Sequence, residues 1–510
     1  MALEYYIVKD SGGTLTTNNL SQYTFNGAVL DDSVGKYYAE DNSLILSLQG
    51  AGDYYVNTQV KAGGSEASAG TENATGYVIN NGGKLTVDGA LASSVVNGIR
   101  VADKAAAEIT LLNQTMSHAQ TVTMGDDATV SYILDNATLN LSNLGHVTNV
   151  TGLDLRNGSL VELHSTDSKL GTDVDKVQVK LSGNSAISLQ NSASVGNDVW
   201  ADIEIDGAGE IRGTTYGDDK TSVQGTITGS GTLSLKKDAD EHANSFIVAS
   251  TISDKEGGTG LKVVVDIDNG VTLNGKNTYT GGTEIKGGTL TTANTDALGG
   301  GGVTLNGGTL KLSEALTVKS LEYYSGSVVL NDKDLTVTNV LKVTDAALAI
   351  TGSGSTTVGT LHLAAGGSIS AEGSLAMTNL TLDSGSTINE ALTLSNGTLT
   401  LTSGITLGGE LLTSVLGLQS ETDSVTLLSG ISSFVLDGTT YDQNTRAAFA
   451  AVDLATVFTA EGLAADTYLL SYSDGKVTIT MSSTPAVPEP TTATLSLLAL
   501  AGLVMRRRRK

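Results

Sequence analysis

The sequence contains no cysteine among its 510 residues, so it offers no disulfide, no thiolate metal ligand and no cysteine nucleophile. Proline is nearly absent as well, since all three prolines lie at Pro485, Pro488 and Pro490. Aromatic residues make up only 4% and charged residues 16%, which is unusual for a helical enzyme. The net charge of −25 argues against nucleic acid as a partner, because that binding depends on Lys and Arg contacts to phosphate.

Glycine is abundant, with 61 residues, and Gly-Gly pairs recur through the proline-free body, residues 1–484. Many of these turns are followed by a short segment such as 309–312, in which Leu or Ile alternates with Thr, Ser or Lys. Alternation with a period of two is typical of a half-buried strand. Because proline cannot donate to a β ladder, its absence also favours repeated, mutually paired strands.

The apolar anchors recur about every twenty residues, as Leu290 and Leu310 do, and a loose period of this length indicates a solenoid. Leu139 and Leu160 are assigned as another such pair, whereas the wider interval from Ile369 to Leu399 predicts an insertion. Each coil of a solenoid buries its inward side chains only by stacking on the next coil. We therefore predict an all-β fold with one continuous β-helix over residues 80–410. The leucines predicted to face inward are Leu85, Leu139, Leu233, Leu290, Leu310 and Leu399.

The two ends of the body differ from its middle. Residues 1–79 are rich in tyrosine and are predicted to form an N-terminal cap or lead-in strands, because a solenoid must cover its terminal coil. Residues 411–484 are predicted to form a C-terminal β cap. Within it, Arg446 to Leu454 has helical composition, and Asp474–Gly475 is a two-residue hairpin signal.

One segment, residues 277–312, resembles the autotransporter-associated β-strand repeat. This resemblance implies a right-handed parallel β-helix, the fold of the passenger regions in which the repeat occurs. Its matching positions are Asn277–Thr283, Ile285, Gly287–Leu290, Ala297–Gly299, Val303 and Gly307–Leu310.

The tail, residues 485–510, has a different chemistry from the body. Its order of parts resembles the PEP-CTERM sorting signal, a tail also known as the ice-binding protein C-terminal domain. The resemblance implies recognition by an exosortase-type membrane protease, cleavage near the Pro-Glu-Pro motif, and transfer to the cell surface or extracellular matrix of a Gram-negative type envelope. The parts are the sorting motif Val487, Pro488, Glu489 and Pro490, the apolar segment 491–505, and the basic stop Arg506, Arg507, Arg508, Arg509 and Lys510.

The apolar segment of the tail is predicted to be a short C-terminal hydrophobic helix of about 22 Å, which is less than the roughly 30 Å of a bilayer core. The basic stop would remain cytoplasmic, so the segment would anchor the chain in the inner membrane before processing and place residues 1–484 outside it. An exported protein needs a signal peptide, yet Met1–Glu4 opens directly on strand-like sequence. We expect that the printed start lies downstream of the signal or that the chain is a fragment; the alternative is that the protein is not exported and its tail is idle.

No catalytic residue, cofactor site or metal site is predicted. The sequence has no phosphate loop and no nucleophile elbow, and Asn294–Asp296, which matches a β-helix glycosidase segment by letters, lacks the partner motifs of those enzymes. Only two of the five histidines, His146 and His164, have a spacing that could stack them on neighbouring coils. The single tryptophan, Trp200, is interpreted as packing filler in preference to a ligand platform.

We therefore predict a non-catalytic, exported structural or adhesive protein of the cell surface. Its partners would be the exosortase, the inner membrane before processing, and an extracellular polysaccharide or another cell surface. Two alternatives stay open: a polysaccharide-acting β-helix enzyme, and an ice-binding module. The ice-binding alternative is suggested by Thr-x-Thr pairs such as Thr226/Thr228, but their irregular spacing disfavours a matched lattice.

Overall fold

The structure is a computed structural model of the chain. Before residue 99 it describes only the backbone of short strands. From there on it describes residues 99–101, 103–118, 122–141, 146–147, 149–164, 169–191, 198–215, 221–237, 245–420, 422–441, 457–459 and 468–481.

Nearly all of the described residues lie in strands, which follow one another along the chain. The early strands are β1 (Ile7–Asp10), β2 (Thr24–Phe25), β3 (Ala28–Val29), β4 (Leu44–Leu48), β5 (Asp53–Val56), β6 (Thr75–Ile79), β7 (Lys84–Asp88), β8 (Ile99–Val101), β9 (Ala106–Leu112), β10 (Thr115–Ser117), β11 (Val122–Met124), β12 (Thr129–Asp135), β13 (Thr138–Asn140) and β14 (His146–Val147). The middle strands are β15 (Val150–Arg156), β16 (Leu160–His164), β17 (Lys169–Leu170), β18 (Val177–Ser182), β19 (Ser185–Asn191), β20 (Asp198–Thr215), β21 (Ser222–Lys237), β22 (Ser245–Val248), β23 (Thr251–Asp254), β24 (Leu261–Leu273), β25 (Thr283–Thr292), β26 (Val303–Leu312) and β27 (Leu316–Asn331). The late elements are β28 (Leu335–Val343), β29 (Ala347–Gly352), β30 (Thr356–Leu363), β31 (Ser368–Ala371), β32 (Leu375–Leu382), β33 (Thr387–Ile388), β34 (Leu392–Leu401), β35 (Ile405–Leu407), helix α1 (Gly409–Leu416), β36 (Ser424–Leu436), β37 (Thr439–Tyr441), β38 (Phe458–Thr459), β39 (Tyr468–Ser473) and β40 (Lys476–Met481).

The first of two compact units comprises Met1–Thr338 and Ile350–Thr356, and its coils stack as parallel strands. One sheet runs through β7, β9, β12, β15 and β18 to β20. Strand β20 turns a corner, since its first half pairs with β18 and its second half with β19. At that corner Gly207 and its register partner Gly231 have φ of 81° and 93°, a backbone that favours glycine. The unit is therefore a parallel β-solenoid, as predicted.

The core lies inside the coils, where apolar residues of successive strands are register partners. Leu290, for example, lies between Val271 and Leu310. The prediction of inward leucines is confirmed for the five whose side chains the structure describes, while Leu85 lies on β7, where only the backbone is described. The five leucines at 0% exposure are Leu139, Leu233, Leu290, Leu310 and Leu399.

The predicted anchor pair Leu139–Leu160 was wrong. Leu139 pairs with Val161, while Leu160 pairs with Thr138 and is only half-buried on the outward side. A shift of one residue moves a strand side chain to the opposite face, so a spacing one residue off selects the wrong position.

The expected insertion before Leu399 is also absent from this described part of the chain. Leu399 pairs with Leu380 on β32, so a complete coil lies in the interval that was taken for an insertion after Ile369.

The second unit comprises Asn339–Ala349 and Thr357–Lys510. Its strand β36 pairs in parallel with β34 but in antiparallel fashion with β37 and β40. The predicted hairpin is confirmed, because β39 and β40 pair around Asp474 and Gly475, whose φ values are 52° and 69°. Helix α1, which was not predicted, buries Leu411 and Val415.

Several predictions fall outside the described residues, namely the helical segment Arg446 to Leu454, the C-terminal hydrophobic helix, the sorting motif and the basic stop. Among the helices of the described part, none is long and apolar enough to cross a membrane. The limits of the caps and the right-handed sense of the coil stay predictions.

Candidate functional site

A shallow groove of about 370 Å³ lies on the outward face of the first unit. It crosses the parallel strands β9, β12, β15, β18, β20 and β21, whose outward side chains form columns because the strands are in register. One column of the groove is Ser131, Gly152, Gln178, Asp202 and Thr226. The neighbouring column is Ile133, Asp154, Lys180, Glu204 and Thr228.

Carboxylates in and beside the groove are paired with basic groups, so the surface is charged but locally compensated. Most of these side chains are a third to a half exposed, so each pair contributes little to stability. The pairs are Arg156–Asp154 at 2.5 Å, Lys176–Asp202 at 3.9 Å, Lys180–Asp206 at 2.9 Å and Lys255–Glu204 at 2.7 Å.

Two of these carboxylates, Asp202 and Asp206, have pKa values below the ordinary aspartate value. Partial burial raises the pKa of Asp202, but hydrogen bonds from Thr226 and the charge of Lys176 outweigh that effect, so the pKa lies below its ordinary value. The hydrogen bond between Lys180 and Asp206 lowers the pKa of the Asp206 carboxyl and raises the pKa of the Lys180 amine. A general acid needs the opposite shift, a pKa raised toward neutrality.

Trp200 lies outside the lining of this groove, in the next column of outward side chains. It is on the same outward face of β20 as Asp202, two residues along the strand, and it is half-buried. Its register partner is Gln224, whose amide donates to Ser222 at 2.8 Å. The inward positions beside it belong to Val199 and Ala201, and the interpretation of Trp200 as packing filler stays a prediction.

A recurring clamp joins successive coils, once within the groove and again elsewhere on the surface. In each clamp an aspartate accepts hydrogen bonds from both the backbone N–H and the hydroxyl of a Ser or Thr. The clamps are Asp202–Thr226 at 3.0 and 2.7 Å, Asp254–Thr280 at 3.1 and 2.7 Å, Asp334–Ser355 at 2.9 and 2.6 Å, and Asp437–Ser403 at 2.9 and 2.5 Å. Sequence reasoning missed this device, whose only signal is an Asp separated from a Ser or Thr by about one repeat.

The histidines occupy separate places. His118 is buried, and its Nδ1 lies 2.5 Å from the Tyr132 hydroxyl; burial lowers the pKa of His118 to about 4. His362 pairs with Asp383 at 2.8 Å on the second unit. His146 and His164, whose spacing would have allowed stacking, are not register partners; they pair with Lys169 and Gln190.

The Asn294–Asp296 segment forms a turn, in which the Asp296 N–H donates to Asn294 Oδ1 at 3.0 Å. The Asp296 carboxylate lies 3.5 Å from Lys276 and is about half exposed. Among the described residues no group of three or more His, Asp or Glu has the arrangement of a metal site.

The groove and the coils define the protein as a β-solenoid with a polar surface cleft. Comparisons with protein-family models, with curated proteins and with solved structures found no match. The resemblances of residues 277–312 and of the tail therefore stay predictions.

Proposed function

We propose that the protein is a non-catalytic structural or adhesive component of the cell surface, sorted there by its C-terminal tail. The single observation that carries the structural role is the parallel stacking of coils around a continuous apolar interior, as in the Leu290–Leu310 register. Such an architecture presents a large, regular outward surface on a scaffold whose coils support one another.

The non-catalytic part of the proposal rests on the state of the acidic groups. Asp202 and Asp206 have lowered pKa values and basic neighbours, and Asp296 lies in a turn beside Lys276. Hydrolysis of a glycosidic bond instead requires a carboxylic acid with a raised pKa opposite a second carboxylate. Incubation with acidic polysaccharides should release neither reducing ends nor unsaturated products, and release that is lost in Asp296→Ala would overturn this part.

The sorting part of the proposal rests on the order of the tail: Pro-Glu-Pro, an apolar segment, then a basic cluster. Its test is expression of the full chain behind a secretion signal in a host with an exosortase, followed by C-terminal mass spectrometry. We expect the surface product to end near Pro488 to Pro490. Removing Arg506 to Lys510 should impair membrane retention before processing. An intact Lys510 on the surface product would refute sorting by cleavage.

A further inference from the structure

One column of polar side chains in the groove is interrupted by a glycine. Gly152 stands between Ser131 and Gln178, so one position in the column has no side chain. Its backbone does not require glycine, because no positive φ occurs there and an added Cβ would lie 3.4 Å from the Ser131 Cβ, an ordinary contact. Gly152 also follows a register shift between β12 and β15, and the missing side chain leaves the column open at this point.

Two apolar surfaces flank the polar side chains. Ile133 faces outward and is half-buried, although the inward positions on either side of it belong to Tyr132 and Leu134. Trp200, two residues along β20 from the lining residue Asp202, supplies an outward aromatic ring in the column beside the groove. A cleft with an apolar floor, an adjacent aromatic ring and several fixed polar groups is the general form of a small-ligand site.

The charges in the groove favour a ligand that has no net charge. Asp154, Asp202 and Glu204 each have a basic neighbour, so an ionic ligand would have to displace an existing pair. Hydroxyl groups, in contrast, can donate to carboxylates and accept from Lys180 or the Gln178 amide without breaking charge balance.

We propose that this groove binds a linear, uncharged oligosaccharide laid across the strands from β9 to β21. At about 4.8 Å per strand the groove spans about 24 Å, and one strand spacing is close to the length of one sugar ring, so about five sugar units fit. Trp200 contacts the C–H face of a sugar ring, while Gln178, Lys180 and the neighbouring carboxylates bind its hydroxyls. The proposal names the ligand class of the adhesive function proposed above and rests on it.

The test is calorimetric titration of the full chain in detergent with neutral, acidic and cationic pentasaccharides: cellopentaose, laminaripentaose, mannopentaose, pentagalacturonate and deacetylated chitopentaose. We expect at least one neutral probe to bind, with affinity that changes by less than about twofold between low and high salt. Gly152→Val fills the cleft and should abolish this binding. Trp200→Ala should weaken it about tenfold. Thr304→Val, an outward valine at a half-buried position between Glu284 and Glu322, is the matched control and should bind as the parent does.

Each outcome decides the matter. Binding of a neutral probe that is lost in Gly152→Val and weakened in Trp200→Ala, with parental unfolding curves, supports the proposal. Binding only to a charged probe, binding that salt abolishes, binding that neither variant changes, or no binding of any neutral probe overturns it. If Gly152→Val fails to fold, Trp200→Ala alone decides. The sorting experiment is independent of these results, so loss of the groove proposal leaves the structural role standing.

Discussion

Gly326 should be among the positions least able to accept a side chain. It lies on β27 with φ of 108°, and an added Cβ would come within 1.8 Å of the Gly307 carbonyl oxygen and 2.2 Å of the Gly308 carbonyl oxygen. Both contacts are to backbone of the preceding coil, so no rotamer change relieves them. Gly326→Ala must therefore hold alanine in a backbone conformation that favours glycine and also separate two coils.

The expected loss follows from these two costs. Holding a residue other than glycine in such a backbone region costs about 1–3 kcal/mol. Separating the coils at this point loses at least one backbone hydrogen bond, which is worth about 1 kcal/mol. We therefore expect Gly326→Ala to lower the free energy of unfolding by about 2–4 kcal/mol.

The matched control is Gly300→Ala. Gly300 has no positive φ, and its added Cβ would come no closer than 4.0 Å to any other group, the Thr280 methyl. Urea unfolding gives the change in stability, and amide exchange locates it, since solenoid coils interact chiefly with their neighbours. Faster exchange should be confined to β25 to β27. Equal stability of the two variants, or uniform exchange across the chain, would refute the argument.

Three further changes test the core, the clamps and the buried histidine. Leu310→Ala should lower the free energy of unfolding by about 2–5 kcal/mol, whereas Lys311→Ala, its exposed neighbour, should change it by less than about 0.5 kcal/mol in urea titrations. Partial burial raises the pKa of Asp254, but hydrogen bonds from Thr280 and Leu261 outweigh it and lower the pKa below 3.8. The stability that the ionised carboxylate contributes is therefore complete above about pH 4 and is lost as pH falls through the lowered pKa. Asp254→Asn should lose less stability than the parent between about pH 7 and 3. Burial lowers the pKa of His118 from 6.5 to about 4, so between these pH values the unfolded chain binds a proton that the folded chain does not. The free energy of unfolding should therefore fall by up to about 3 kcal/mol as the pH is lowered from 6.5 to about 4. His118→Gln should remove this effect.

Each of these expectations can fail in a definite way. An equal effect of the two substitutions at 310 and 311 would show that the interior is not close-packed. Identical acid profiles of the parent and Asp254→Asn would show that the clamp carries no pH-dependent stability. An imidazole that titrates near 6.5 by NMR would show that His118 is not buried as a neutral group.

Local pattern predicted the features that depend on neighbouring residues. Alternation of period two identified Leu139, Leu233 and Leu310 as inward, because a strand with one buried face must place every second side chain in the core. Asp474–Gly475 predicted the hairpin, because both residues accept the positive φ that its turn requires.

The register between coils could not be predicted from local sequence pattern. Leu160 was assigned as the partner of Leu139, yet Val161 occupies that place, because loops between strands change the length of each coil. One such coil runs from Leu290 to Leu310 and a longer one from Leu233 to Val263. A repeat this loose predicts that coils stack, but it does not predict which residues meet.

The sequence by itself determined that the chain is a β-solenoid with a leucine-rich interior and an acidic, polar exterior, because both follow from periodicity and composition. Only the tertiary structure decided that Gly152, Asp154 and Asp202 share one groove, since they lie on strands brought together by the stacking of separate coils. It also placed Trp200 on the outward face of β20, because the face of a residue is set by the register of its strand. Register is a long-range property, which is why the site had to come from the fold.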